Sequence, residues 1–285
     1  MTQTIGLIGL GAMGGAMARR LMETGHDVLG YDPLPEACQR AARDGVEIAA
    51  DLSAIAQTCP VIVLSLPKAA FVTQVMSELV PALSTGATIL DTTTSQPETS
   101  RAQYRTGIQN GYAFLDAPVS GGPSGARTGT MTMVVGGDAA ALDPLRPILD
   151  RMTAKLLHIG PSGAGNAAKI ANNLLCAANL VLVSEMVHMA RRAGVSAEDL
   201  LTGLNAGSGR SGVSEVNFPR WILNGSYDSG FTMGLMRKDV GLAQNLAKEL
   251  GLTLPGTEAI AAIWEDSRKM LPDSADFNEI YRYET

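Results

Sequence analysis

A chain of 285 residues can hold two ordinary domains, and 46% hydrophobic against 18% charged residues excludes a disordered polypeptide. A net charge of −6 without a basic run argues against nucleic acid as the main partner. Three scattered cysteines with no CxxC pair exclude a disulfide framework and a thiolate zinc site, and they suit a reducing cytoplasm.

Thr4–Ile8 reads as a strand, Met13–Glu23 as a helix and Asp27–Tyr31 as a second strand. The apolar N-terminus lacks a basic n-region, so its glycines open a motif and no signal peptide is expected. Pro60–Leu66, Ala87–Leu90, Ala113–Leu115, Met131–Val135 and Ala154–His158 read as further strands, separated by helix-like stretches and by punctuation such as Pro67, Gly86 and Gly111. That alternation predicts a mainly parallel sheet flanked by helices over residues 1–160. From 161 to 285 the pattern is helical, with no convincing strand. Asn166–Arg192 reads as one helix about 40 Å long, closed by Gly194 as a C-cap. Its apolar residues, from Ile170 through Leu175, Leu182 and Val187, lie on nearly all sides, which predicts burial between domains or subunits. The apolar run Leu174–Val183 is about half a bilayer span, so a soluble protein is expected. Ala197–Asn205, Glu215–Leu223, Arg237–Leu250 and Glu258–Lys269 complete the helices.

Between the first strand and helix stands Gly9-Leu10-Gly11-Ala12-Met13-Gly14. Gly9 permits a tight turn, Gly11 lets the backbone approach a pyrophosphate, and Gly14 allows close helix–strand packing. Unpaired N–H groups at a helix start then hold phosphate. Asp32 ends the second strand, where a carboxylate accepts hydrogen bonds from ribose hydroxyls and repels a 2′-phosphate; no arginine follows it, which favours NAD over NADP. The same aspartate before Pro33 also suits a plain turn.

Asp116-Ala117-Pro118-Val119-Ser120-Gly121-Gly122-Pro123 follows a strand. Its consecutive glycines offer several backbone N–H groups to an anion such as a carboxylate, with the Ser120 hydroxyl beside them, although such a run is also a common plain loop. Lys169 and Asn173 sit one turn apart on one face of the long apolar helix, with Asn172 turned about 100° away. Polar groups there are costly to bury without partners. A buried lysine gives up its proton readily and serves as a general base, whereas a lysine at a helix start also snorkels to solvent. His26, His158 and His188 are widely spaced, so no metal site is expected.

These motifs, with Arg237-Lys238-Asp239-Val240, resemble in content and order those of the β-hydroxyacid dehydrogenases, which include 3-hydroxyisobutyrate dehydrogenase and tartronate semialdehyde reductase. The resemblance implies an α/β, Rossmann-type NAD-binding domain, a long interdomain helix and an all-α substrate and oligomerisation domain. It implies Lys169 as catalytic base, Asn173 as its orienting partner, and Ser120, Gly121 and Gly122 as the carboxylate loop. Leu66, Pro67 and Thr94 are similar to cofactor contacts, and Lys238 to a lysine closing over the cofactor. Arg210, in Ser208-Gly209-Arg210-Ser211, either meets an anionic substrate or caps the preceding helix. The implied reaction interconverts a small 3-hydroxyisobutyrate-like acid and its semialdehyde; the alternatives are reduction of tartronate, succinic or sulfonated semialdehyde, or an inactive NAD-binding module. Imine reductases resemble this family but generally lack the lysine, and phosphogluconate dehydrogenases carry a larger helical domain. A homodimer or homotetramer is expected, without nucleic-acid or membrane partners.

Overall fold

The computed structural model describes residues 4–283. Six strands, β1 (Ile5–Ile8), β2 (Val28–Tyr31), β3 (Glu47–Ile48), β4 (Val61–Leu64), β5 (Thr88–Asp91) and β6 (Ala113–Asp116), form a parallel array in the order β3-β2-β1-β4-β5-β6. The IGLI of β1 and the VIVL of β4 are buried throughout, as continuous apolar runs are when helices cover both faces of a sheet. Helices α1 (Ala12–Glu23), α2 (Pro35–Arg43), α3 (Leu52–Thr58), α4 (Ala69–Leu79) and α5 (Pro97–Asn110) are the crossovers. The order reverses between β1 and β4, which places a crevice at their carboxyl ends. The strand expected over Pro60–Leu66 is shorter: its pairing ends at Leu64, and past the last ladder bond, from Ser65 N–H to Ile8 O, Leu66 N–H turns to Thr93 Oγ1.

Beyond β6 the sheet changes direction. β7 (Val119–Ser120) and α6 (Gly122–Thr128) lead into β8 (Met131–Gly136), which runs antiparallel to β6 and β7. Short turns α7 (Ala139–Leu142) and α8 (Arg146–Leu149) connect to β9 (Thr153–Gly160), parallel to β8. The stretch read from sequence as a glycine-rich loop is thus a two-residue strand at Ser120 followed by a helix that begins at Gly122.

The chain divides into two compact units between Lys169 and Ile170, inside α9 (Ala164–Arg192). In the second unit α10 (Ala197–Ala206), α11 (Met233–Glu249) and α12 (Pro255–Asp266) pack with α9 around Leu180, Val187, Phe218, Met236 and Trp264. The Trp264 indole N–H donates to Ala177 O at 3.2 Å. The helix expected over Glu215–Leu223 is a π-helix over Val213–Ile222. Pro219 lies inside it and has no N–H for an α-helical bond.

Gly194, at φ +82°, ends α9 as expected: Val195 N–H reaches Ala190 O and Gly194 N–H reaches Arg191 O, the paired bonds of a Schellman motif. The all-round burial expected for this helix is incomplete in the single chain, since Leu175, Leu182 and Met189, spaced by seven, are 64%, 50% and 59% exposed. By length and composition α9 is also capable of crossing a bilayer, a property shared with core helices of soluble proteins.

Candidate active site

The glycine-rich turn leaves β1 at the crevice. Gly9 adopts φ +95° and donates its N–H to Tyr31 O at 2.8 Å; a Cβ there would stand 2.3 Å from Ser65 O. A Cβ on Gly14 would stand 1.8 Å from Gly9 O, so Gly14 is fixed by helix–strand packing. Around Gly11 an added Cβ meets no protein atom within 4 Å. Gly11 precedes Ala12 and Met13, the first residues of α1, and N–H groups of a first helical turn have no intrahelical acceptor. An open approach to a helix start fits the pyrophosphate of a dinucleotide. Asp32 holds this turn from the end of β2: Oδ2 accepts from Leu10 N–H at 2.8 Å, and Oδ1 from Leu34 N–H at 2.9 Å. Each oxygen keeps a second lone pair for a ribose hydroxyl. Gly11→Ala is therefore expected to keep its melting temperature within about 2 °C of the parent, a surface-sized effect, while NADH affinity, read by fluorescence titration, falls about 10-fold or more through steric block of the phosphates.

Two more loops meet this turn. Thr92 donates both its N–H and its Oγ1–H to Leu64 O, and Thr93 Oγ1 accepts from Leu66 N–H at 3.1 Å. These bonds tie the segment of half-buried Leu66 and exposed Pro67 to the segment of half-buried Thr94.

Asp91, at the end of β5, is fully buried; burial first, and the nearby Asp116 charge least, push its carboxyl up to about 7 against the hydrogen bonds from Thr93. Folded protein therefore keeps a proton on Asp91 that the unfolded chain releases near its ordinary value of 3.8. Since the unfolded state then binds fewer protons, this group's contribution makes stability fall as pH rises from about 4 to about 7 and level above. Asp91→Asn is expected to gain stability relative to the parent across that window, on the order of 2–4 kcal/mol by pH 8. Denaturant melts of both proteins at pH 4 and pH 8 measure the difference; an unchanged difference refutes a protonated Asp91.

β6 supplies the next anchor. Asp116 is fully buried, its Oδ1 accepting from Gly163 N–H at 2.7 Å and its Oδ2 from Asn166 N–H at 2.9 Å. The carboxylate thus caps the start of α9. Asn166, also fully buried, accepts from Ser95 N–H and donates to Ser95 Oγ and Ser100 Oγ. One turn further along α9, Lys169 is 9% exposed, and its Nζ donates to Ser120 Oγ at 2.7 Å. The residues assigned from sequence to the base and to the carboxylate loop are therefore in direct contact. Gly121 and Gly122 follow at φ +125° and +63°, conformations that favour glycine.

In the second unit, Asn173 is buried and its Nδ2 donates to Asp239 Oδ2 at 2.6 Å. Lys238 Nζ lies 3.0 Å from Asp239 Oδ1. Arg210 is exposed and its side chain lies 3.7 Å from Glu215. His158 Nε2 bonds Gly137 O, a structural contact. Sequence reasoning gave no role to Asp91, Asp116, Asn166 or Asp239. The available signals were an aspartate closing each of two apolar strands and an asparagine in the first turn of an alanine-rich helix.

A glycine turn open to phosphate at the switch point of a doubly wound sheet, with a buried lysine bonded to a half-buried serine in the same unit, defines a dinucleotide-dependent oxidoreductase. Residues 4–160 match the family described as the NAD binding domain of 6-phosphogluconate dehydrogenase. Residues 163–284 match that described as NAD-binding of NADP-dependent 3-hydroxyisobutyrate dehydrogenase. The chain is 33% identical to 2-(hydroxymethyl)glutarate dehydrogenase of Eubacterium barkeri, over 93% of this chain and 89% of that one. It is 32% identical to a probable 3-hydroxyisobutyrate dehydrogenase of Mycobacterium tuberculosis, over 96% and 95%. The solved 3-hydroxyisobutyrate dehydrogenase of Mycobacterium tuberculosis with L-serine superposes with a TM-score of 0.93 at 31% identity, covering 99% of each chain. The chain belongs to the β-hydroxyacid dehydrogenase family and is an NAD(P)-dependent hydroxyacid dehydrogenase.

Proposed function

We propose that the protein oxidises a small β-hydroxy carboxylate of the 3-hydroxyisobutyrate type to its semialdehyde, using NAD, with Lys169 as general base. The observation that carries this reading is the 2.7 Å contact between a nearly buried lysine amine and the Ser120 hydroxyl. Ser120 with Gly121 and Gly122 holds the substrate carboxylate, a role that suits their hydroxyl and backbone N–H donors. With the acid end fixed there, the substrate hydroxyl stands at Lys169 Nζ, which takes its proton; in the reverse direction the ammonium returns it. Asn173 orients the substrate from the next turn of α9. When bound, the dinucleotide would supply the hydride acceptor; Gly9–Gly14 would hold its pyrophosphate, Asp32 its adenosine ribose, and Leu66, Pro67, Thr94 and Lys238 its nicotinamide half. Asp32 supports NAD over NADP, because a 2′-phosphate would face its carboxylate. The exposed Leu175, Leu182 and Met189 support a homodimer or homotetramer, and three scattered cysteines, Cys38, Cys59 and Cys176, suit the cytoplasm.

The test is the rise in absorbance at 340 nm with NAD or NADP and a panel of acids: 3-hydroxyisobutyrate, D- and L-glycerate, L-serine, threonate, 4-hydroxybutyrate and dihydroxypropanesulfonate. Turnover of a β-hydroxy acid with NAD at least about 10-fold above NADP in kcat/KM is the expected result. No reduction with any member, or a preference for NADP, overturns the substrate or the cofactor assignment respectively.

A further inference from the structure

The amide of Asn173 is held by one buried carboxylate, and that carboxylate dictates which end of the amide faces outward. Asp239, 1% exposed on α11, accepts from Asn173 Nδ2 at 2.6 Å. An ionised carboxylate has acceptors only, so the reversed amide would set two acceptors face to face. With one of its two N–H groups on Asp239, the amide turns its carbonyl end away from that carboxylate; there Asn172, exposed on the same helix, donates its own Nδ2 to Asn173 Oδ1 at 3.1 Å. The second oxygen of Asp239 lies 3.0 Å from Lys238 Nζ, which neutralises the buried charge.

We propose that Asp239 is a positioning residue for the dehydrogenase reaction: it fixes the polarity of the Asn173 amide, so that Asn173 meets the substrate as a hydrogen-bond donor through the second N–H of Nδ2. That N–H donates to the substrate's hydroxyl oxygen, which leaves the hydroxyl proton directed at Lys169 and supports the oxygen as the proton departs. The proposal rests on the assignment of Asn173 to the substrate and adds which atom acts and what orients it. An amide free to flip offers the hydroxyl an acceptor half of the time, which draws its proton away from Lys169, and the productive rotamer is lost with it.

The test is a double-mutant cycle read in kcat at saturating NAD and hydroxyacid. Asp239→Asn puts an amide opposite an amide, which no longer selects an orientation. Its kcat is expected to fall about 10-fold to 100-fold, the range for a misoriented reacting group. In the Asn173→Ala background the same change is expected to cost less than about 3-fold more, because the group it acts through is gone. Equal losses in both backgrounds overturn the proposal. The exchange variant Asn173→Asp with Asp239→Asn keeps a buried carboxylate and an amide donor facing each other, and so guards against simple unfolding. It is expected to keep a parent-like melting temperature with kcat still low; recovery of kcat to within about 3-fold of the parent shows a merely structural pair and also overturns the proposal. An Asn173→Ala variant with parental kcat removes Asn173 from the reaction, and the role of Asp239 with it. A Lys169→Ala variant that keeps parental kcat removes the base assignment alone.

Discussion

Lys169→Ala is expected to lower kcat by about 10²–10⁴-fold while NADH binds within about 3-fold of its parental affinity, since general-base assistance is worth that much and the lysine has no part in cofactor affinity. The side chain is 9% exposed with its amine on Ser120 Oγ, so its removal deletes the proton acceptor and also opens a cavity. Lys169→Met separates the two effects. Methionine fills a similar apolar volume without an amine, so the melting temperature recovers while kcat does not. For the oxidation, a base must be unprotonated to act, so the parental kcat/KM rises with pH through its titration and then levels. That rising limb is expected to vanish in the methionine variant. In the reduction direction the required form is the ammonium, and the limb has the opposite slope. A methionine variant that retains a tenth of parental kcat, or an alanine variant that loses NADH binding in step with turnover, removes Lys169 from the chemistry.

The residues legible in the sequence were those whose chemistry is carried by type and short spacing. Gly9, Gly11 and Gly14 stand in a fixed pattern after an apolar strand, and the structure gives each a separate steric reason: contact with Ser65, open approach, and contact with Gly9. The Gly194 stop and the single long α9 were legible for the same reason, because local geometry alone decides them. Long-range partners were not. Asp116 bonds residues 47 and 50 positions away, Asn166 reaches Ser95 over 71, and Asp239 reaches Asn173 over 66. No periodicity encodes a pairing at that distance. The conformation around Ser120 escaped too, since β7 exists only through its antiparallel pairing with β8, and Gly-Gly-Pro reads as a turn before it reads as a helix start. The π-winding near Pro219 is a similar case, where packing around Phe218 outweighs local preference.

Asp116→Ala is expected to lower both stability and turnover, for one reason. The carboxylate fills a space framed by glycines: a Cβ on Gly136 would stand 2.8 Å from Oδ1, and one on Gly165 would stand 2.9 Å from Oδ2. Alanine leaves the N–H groups of Gly163 and Asn166 buried without acceptors, at about 1–3 kcal/mol each. Against this stands the relief of not burying a charge: burial raises the Asp116 carboxyl above its ordinary value despite the bonds from Gly163 and Asn166. The two orphaned donors outweigh that relief, since a raised value leaves the carboxyl free to protonate rather than bear the full cost of a charge. The net loss is on the order of 2–4 kcal/mol, or roughly a 5–15 °C fall in melting temperature for a domain of this size. Because the folded parent binds a proton more tightly at this site, its advantage over the alanine variant narrows as pH rises from about 4, its ordinary titration range. Turnover falls with stability because the capped turn leads directly to Lys169, and the strand that carries Asp116 leads directly to Ser120. Loosening the cap moves the amine against the hydroxyl, and a displacement near 1 Å costs about 100-fold. Asp116→Asn keeps the shape and one acceptor but turns an amide donor toward the other N–H, so it is expected to show a smaller loss of both. Thermal melts and kcat measured on the same preparations test this: a lowered melting temperature with unchanged kcat makes Asp116 a cap without a catalytic consequence, and no change in either refutes the anchoring role.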